Sequence, residues 1–199
     1  TGILPDMTFD EALEVTKVHS IAGLLPSSTP LLKSRPFRSP HHTVSAMGLS
    51  GGGTIPRPGE LSLAHNGILF ADEFCEMPKR VMEALRGPME DRKVTISRLK
   101  SKVEYPADFM LIAATNPCPC GYYGDGDRCT CTPAKRLGYI SKLSGPLMDR
   151  IDIQLVVSRV EARRLVNRKP AESSAAVAAR VHKAREIQKA RLAGEGIFC

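Results

Sequence analysis

Apolar and polar residues change period along this chain, and each change marks an element. Thr8–Ala22 has helical spacing, with Leu13, Val18 and Ile21 available for a buried face. Thr8 stands at the N-cap position and Glu11 three residues on, the capping-box pair, and Gly23 and Pro26 close the helix. Pro30–Pro58 has no period and is rich in Pro, Gly, Ser, Arg and His; it reads as an ordered insertion anchored by Val44, Met47, Leu49 and Ile55. Gly67–Ala71 is a short apolar run, expected as a buried parallel strand, and it ends in Asp72-Glu73. Pro78–Arg86 reads as a helix with Val81, Met82 and Leu85 on one face.

Lys93–Pro106 alternates apolar and polar residues on both sides of Arg98-Leu99-Lys100-Ser101-Lys102, which predicts a β-hairpin with a basic tip. Phe109–Ala114 is expected as a second buried strand ending at Thr115-Asn116, and Ile151–Val157 as a third. Pro117–Pro133 is a cysteine-bearing loop, and Ser173–Leu192 a long, Ala-rich basic helix. Strands that alternate with helices and end in polar residues predict an open parallel α/β sheet, which binds ligands at the carboxyl ends of its strands.

Composition adds three constraints. With 42% apolar residues but only 5% aromatics, the core must be aliphatic. No apolar run approaches the roughly 20 residues that cross a bilayer, and Thr1–Asp10 lacks a secretory pattern, so a soluble cytoplasmic protein without a membrane partner is expected. The formal charge of +7 points to an anionic partner, nucleic acid foremost, although many domains reach such a charge without binding one.

The strand ends hold the candidate chemistry. ATP hydrolysis is mostly positioning and charge stabilisation, so it needs a carboxylate beside the nucleotide's Mg²⁺ and a group that orients water, both on rigid backbone. Asp72 and Glu73 suit these tasks; the plainer reading is that they cap a turn. Asn116 can touch a γ-phosphate or hold the water; alone, it is an ordinary Asn-Pro turn. Arg150 can be supplied in trans to a neighbour's nucleotide, or can simply pair with Asp149 or Asp152. Arg98, Lys100 and Lys102 are placed to meet a DNA backbone without reading its sequence, or merely to solubilise the hairpin. His41 and His42, with Arg35 and Arg38, either contact phosphate, line a pore, or are solvated loop residues. His19 and His182 have no assigned role.

Four of the six cysteines crowd into Cys118, Cys120, Cys129 and Cys131. Two C-x-C pairs flanking a Gly/Asp-rich turn can deliver four thiolates to one structural Zn²⁺. Free thiols and two disulfides remain open at this point.

Arg35–Thr43, Gly59–Gly67, Asn116–Gly121 and Ser144–Asp152 together resemble the magnesium-chelatase-like AAA+ ATPases of bacteria, the YifB/ComM competence-protein family, over nearly the whole chain. The resemblance implies a P-loop AAA+ core with a parallel sheet, truncated at both ends. Residues 1–158 would be the core, with the helix-2 insertion at 30–58, the pre-sensor-1 hairpin at Lys93–Tyr105 and the cysteine loop at 117–133. Residues 159–199 would be a linker and the first helix of a lid. Asp72 and Glu73 would be the Walker B pair, with Asp72 taking the Mg²⁺ of bound ATP, Asn116 sensor 1, and Arg150 the arginine finger. It implies a hexameric ring that moves on DNA by ATP hydrolysis, in branch migration or helicase-like work on incoming DNA. A chelatase-type motor that remodels a partner protein for metal insertion is the alternative, and a zinc-stabilised binding module is a third.

Two departures matter. No G-x-x-x-x-G-K-[ST] occurs, and Gly51-Gly52-Gly53-Thr54 lacks the Lys to replace it. The chain is expected to start just after the phosphate-binding loop and stop before the lid's sensor 2 arginine, and to hydrolyse no ATP by itself.

Overall fold

The computed structural model describes residues 2–98, 101–157 and 171–192, with backbone alone at Arg98 and Ser101. Helix α1 is Phe9–Ile21, started by the expected capping box: the Glu11 amide donates to Thr8 Oγ1 at 3.2 Å and the Thr8 amide to Glu11 Oε2 at 2.7 Å. Its buried stripe is Ala12, Val15, Thr16 and Val18, rotated from the expected face, so Ile21 is exposed. The rotation follows from Thr16, whose hydroxyl donates to the Ala12 carbonyl and accepts from the Leu32 amide, drawing the insertion onto this face.

Three parallel strands form the sheet that positions the site: β1 (Phe37–Arg38), β4 (Gly67–Ala71) and β7 (Phe109–Ala113), in the order β1-β4-β7. β4 is central, and all of its residues except Phe70 are buried. A Cβ on Gly67 would lie 2.2 Å from the Pro36 carbonyl oxygen, so only glycine lets β1 enter the sheet there. The expected insertion, residues 30–58, is structured and contains β1 itself. It also holds α2 (Ala46–Ser50), capped by Ser45, and the two-residue strands β2 (Gly51–Gly52) and β3 (Arg57–Pro58); α3 (Glu60–Leu63) follows it. Leu49 anchors it at 1% exposure with Val44 packed beside it, whereas Met47 and Ile55 stand in solvent.

The predicted helix 78–86 is real but breaks into α4 (Lys79–Glu83) and α5 (Arg86–Asp91). Pro88 has no amide to continue the ladder, so the helix restarts with the proline in its first turn. The expected hairpin forms, β5 (Lys93–Arg98) and β6 (Ser101–Pro106), and its ladder extends into the basic stretch, with Arg98 opposite Ser101. Val94, Ile96 and Tyr105 face the core, a cluster that also takes Leu61, Leu69, Phe74, Val81, Met82, Leu85 and Leu147.

Two strand expectations fail. Phe109–Ala113 is a strand but not a buried one: Met110 and Ile112 are 50% and 41% exposed, because among the described residues nothing covers that face. Ile151–Val157 forms no strand; it finds no ladder partner among the described residues, and Leu155 and Val156 are 81% and 98% exposed. Two helices follow the cysteine loop, α6 (Pro133–Ile140) and α7 (Gly145–Met148). The last helix, α8 (Ser174–Leu192), lies where expected and has no buried residue. Among the described residues no helix is long and apolar enough to cross a membrane.

Candidate hydrolytic site and four-cysteine cluster

The backbone brings the candidate residues to one end of the sheet. β4 and β7 run parallel with Ala71 opposite Ala113. Hydrogen bonds continue past the strands: the Ala114 amide donates to the Ala71 carbonyl at 2.9 Å, and the Phe74 amide to the Ala114 carbonyl at 2.8 Å. Asp72 and Glu73 are therefore strapped to the end of β7, three residues before Asn116, and all three side chains are exposed there. The Glu73 amide donates to Asp72 Oδ1 at 2.9 Å.

Glu73 sits at φ 49°, in the left-handed region. A non-glycine residue there costs about 1 kcal/mol, and such residues collect at functional sites. A long-range contact holds it: His42 Nδ1 lies 2.7 Å from Glu73 Oε2. The His41 and His42 rings lie 4.1 Å apart, and His41 Nδ1 meets the Thr43 hydroxyl at 2.8 Å. Sequence reasoning grouped the histidines with Arg35 and Arg38 but did not pair them with Glu73. Nothing local signals a contact across 31 residues.

The two arginines belong to the scaffold. Arg35 donates to the Pro5 and Asn66 carbonyls and meets Glu11, tying the start of the described chain to β4. Arg38 makes a two-pronged contact with Glu60, 2.7 Å on each arm, which raises its pKa further. Both are paired with a carboxylate of their own chain. His19 has a packing role, with Nε2 3.1 Å from the Leu63 carbonyl.

Arg150 follows α7 and is bound within its own chain. Its guanidinium donates to Glu90 on α5 and to the Pro146 carbonyl, so the acid it pairs with is neither Asp149 nor Asp152. Glu90 is half exposed, and a solvated pair of this kind contributes about 1 kcal/mol or less, so it yields readily to a stronger anion. At the hairpin tip, Lys100 and the Arg98 side chain lie outside the described residues. Lys102 pairs with Glu104 at 3.2 Å, and Lys93 meets the same carboxylate at 3.1 Å; the Lys93 hydrogen bond, then that of Lys102, holds the Glu104 carboxyl below its usual range.

The four loop cysteines converge, with all four sulfurs within 4.8 Å of one another. Cys118 and Cys120 are 3.4 Å apart, Cys118 and Cys129 3.8 Å, Cys120 and Cys129 3.7 Å. Disulfide sulfurs lie about 2.05 Å apart, and these cysteines are unbonded. With metal–sulfur bonds of about 2.3 Å, a regular tetrahedron sets its sulfurs about 3.8 Å apart, close to the separations among Cys118, Cys120 and Cys129, so shifts of about 1 Å or less bring all four sulfurs to a tetrahedral metal. The Tyr122 amide aimed at Cys120 holds that thiol down to about 6. Cys131 is pushed up to about 11: although the Cys120 amide favours its thiolate, the neighbouring sulfurs and burial oppose a second negative charge. Four thiolates this close need a cation. Cys118 is buried, two residues beyond Asn116, so whatever pins the cluster also pins the end of β7.

The parallel three-stranded α/β sheet, with acidic and amide residues at adjoining strand ends, is consistent with a truncated AAA+-type core. The family model described as magnesium chelatase, subunit ChlI, matches residues 1–165, and the chain belongs to this family, in its YifB/ComM group. It is 45% identical over 191 residues to the uncharacterized protein YifB of Escherichia coli (strain K12), covering 94% of this chain and 37% of that protein. It is 44% identical over 192 residues to the competence protein ComM of Haemophilus influenzae, covering 96% of this chain and 37% of that protein. A weaker likeness, 33% over 99 residues, joins half of this chain to 11% of the DNA replication licensing factor Mcm6 of Drosophila melanogaster. The chain thus spans under two fifths of the length of its YifB and ComM relatives.

Proposed function

We propose that this chain carries the hydrolytic carboxylates, sensor and trans-acting arginine of an ATP-driven motor that assembles as a ring and works on DNA. The observation that supports it best is the β4–β7 register, which sets Asp72, Glu73 and Asn116 at one end of two neighbouring parallel strands. Asp72 is the residue to hold the nucleotide's Mg²⁺, through a water. Glu73 polarises the attacking water, and Asn116 orients it or the γ-phosphate. Arg150 leaves Glu90 to stabilise transition-state charge on a neighbouring subunit's nucleotide. Residues 1–158 belong to the core and 159–199 to the linker and the first lid helix, in keeping with an α8 that buries no residue. The motor's work would be branch migration or helicase-like movement on incoming DNA, in the cytoplasm, with the basic hairpin tip at Arg98, Lys100 and Lys102 on the DNA backbone.

The 199-residue chain contains no G-x-x-x-x-G-K-[ST], so it lacks the amides and lysine that cradle the β- and γ-phosphates. The purified chain is expected to bind ATP weakly and to release no phosphate above background in a coupled assay. A robust rate refutes this division of labour.

We assign Cys118, Cys120, Cys129 and Cys131 to one structural Zn²⁺, since four protein ligands leave no open position for chemistry. Protein purified under reducing conditions is expected to contain about one equivalent of zinc by metal analysis. Replacing Cys120 with Ser should weaken zinc affinity at least about tenfold, read by competition with a chelator. Zinc well below one equivalent in the unaltered protein overturns the assignment.

The family's magnesium-chelatase description favours one competing reading, a motor that remodels a partner protein for metal insertion. Affinity for DNA at low salt supports the DNA motor. A nucleotide-dependent protein partner, without DNA affinity, supports the chelatase-type motor.

A further inference from the structure

Tyr122 and Tyr123 occupy the turn between the two cysteine pairs, 47% and 54% exposed. The chain's other two tyrosines, Tyr105 and Tyr139, are buried. Each exposed ring carries a guanidinium: Arg128 lies 6.0 Å from the Tyr122 centroid and Arg136 4.3 Å from that of Tyr123. Arg128 comes from the loop itself and Arg136 from α6, so two elements converge on one aromatic patch. Lys135, beside Arg136, is exposed. Arg128 is balanced by Asp125 at 3.3 Å, but among the described residues neither Lys135 nor Arg136 has a carboxylate partner. The patch therefore joins two tyrosine rings to two positive charges that have no carboxylate partner among the described residues, on a loop whose two ends meet at the four-cysteine cluster.

We propose that Tyr122, Tyr123, Lys135 and Arg136 form a platform for single-stranded DNA, with bases on the tyrosine rings and phosphates on the two cations. This rests on the DNA-motor reading and deepens it: it moves a contact away from the hairpin tip and specifies unpaired bases. Every base has a π-face that stacks on an aromatic ring, so such a platform tolerates any sequence. Duplex bases are already stacked on each other and can offer only phosphate. The anchored loop holds the rings in place before the strand arrives, which limits the ordering cost of binding.

The chain has no tryptophan, so its emission comes from its four tyrosines, and the part lost in Y122F/Y123F is the part this patch contributes. The test titrates the 199-residue chain with an oligo-dT of roughly 15 nucleotides and a blunt duplex of equal length, following tyrosine emission and the anisotropy of a labelled oligo-dT. The single strand is expected to quench emission and to bind at least about tenfold tighter than the duplex. Y122L/Y123L should weaken oligo-dT binding about tenfold or more, while Y122F/Y123F keeps the affinity, because phenylalanine stacks as well. K135Q/R136Q should reduce the slope of log affinity against log salt by about 1.4, the single-strand value for two phosphate contacts.

Zinc content matching the unaltered chain certifies the fold of each variant, and if the leucine pair loses metal, the α6 surface variant decides. Leucine variants that bind like the parent, phenylalanine variants that lose affinity, or equal binding of duplex and single strand each overturn the platform. A chain that binds neither DNA at low salt removes the DNA reading as well. Binding abolished by R98Q/K100Q/K102Q but untouched by Y122L/Y123L overturns the platform alone.

Discussion

In a protein of the relatives' full length, Arg150→Ala is expected to lower ATP turnover by about 10³-fold or more, while nucleotide binding changes little. An arginine aimed at a transferring phosphoryl group stabilises charge that develops only in the transition state, so its loss appears in kcat rather than in affinity. The structure gives this residue a resting place. Arg150 is held by the half-exposed Glu90 and the Pro146 carbonyl within its own chain. A residue with only a structural duty would behave otherwise. Glu90→Gln would then cost as much as Arg150→Ala, and both would act through stability. Here Glu90→Gln should leave turnover within about threefold, since it removes only a surface pair.

Glu73→Gln should lower turnover by about 10²- to 10⁴-fold, the usual contribution of a positioned general base. Glutamine keeps the size and the hydrogen-bonding reach of the side chain but cannot take the proton. Nucleotide affinity measured with a fluorescent ATP analogue should survive. Full turnover in the Gln variant would reduce Asp72-Glu73 to a turn cap. The geometry favours the stronger reading. Glu73 sits in the left-handed region at φ 49°, its carboxylate meets His42 at 2.7 Å, and the segment is tied to Ala114. A turn cap needs none of these. A strained backbone held by a neighbouring loop is typical of residues whose position serves chemistry.

The legible elements were those whose signal is local. The capping box of α1 is written in Thr8 and Glu11, three residues apart, and the structure forms it. The alternation of Val94, Ile96, Val103 and Tyr105 marked the β5–β6 hairpin, and in the structure Val94, Ile96 and Tyr105 turn to the core with Val103 packed beside them. The β4 run was apolar enough to be the central strand. α6 was not anticipated, although its start is marked by Thr132 at the N-cap and Pro133 in the first turn; the expected cysteine loop ends at Pro133, with no element assigned to the stretch after it.

What failed depended on partners that lie far off in sequence. Ile151–Val157 has the composition of a buried strand, but a strand is made by its neighbour, and among the described residues it has none. Phe109–Ala113 has one ladder and one open face. Arg35 and Arg38 looked available for phosphate, but Glu11 and Glu60, more than 20 residues away, have taken them. The meeting of His42 with Glu73, and of Arg136 with Tyr123, belongs to the same class. Cysteine spacing was the exception among long-range signals: two C-x-C pairs 9 residues apart announced a cluster, and the four sulfurs meet.

The central claim is a composite site, Glu73 from one subunit and Arg150 from the next, and mixing two inactive proteins tests it most directly. Full-length Glu73→Gln and Arg150→Ala proteins are combined in equal amounts, allowed to exchange subunits, and assayed for ATP turnover. Random mixing pairs an intact Glu73 with an intact Arg150 at about a quarter of the interfaces, so about a quarter of the unaltered rate should return. A mixture as inactive as its two parents, despite demonstrated subunit exchange, would contradict the shared site.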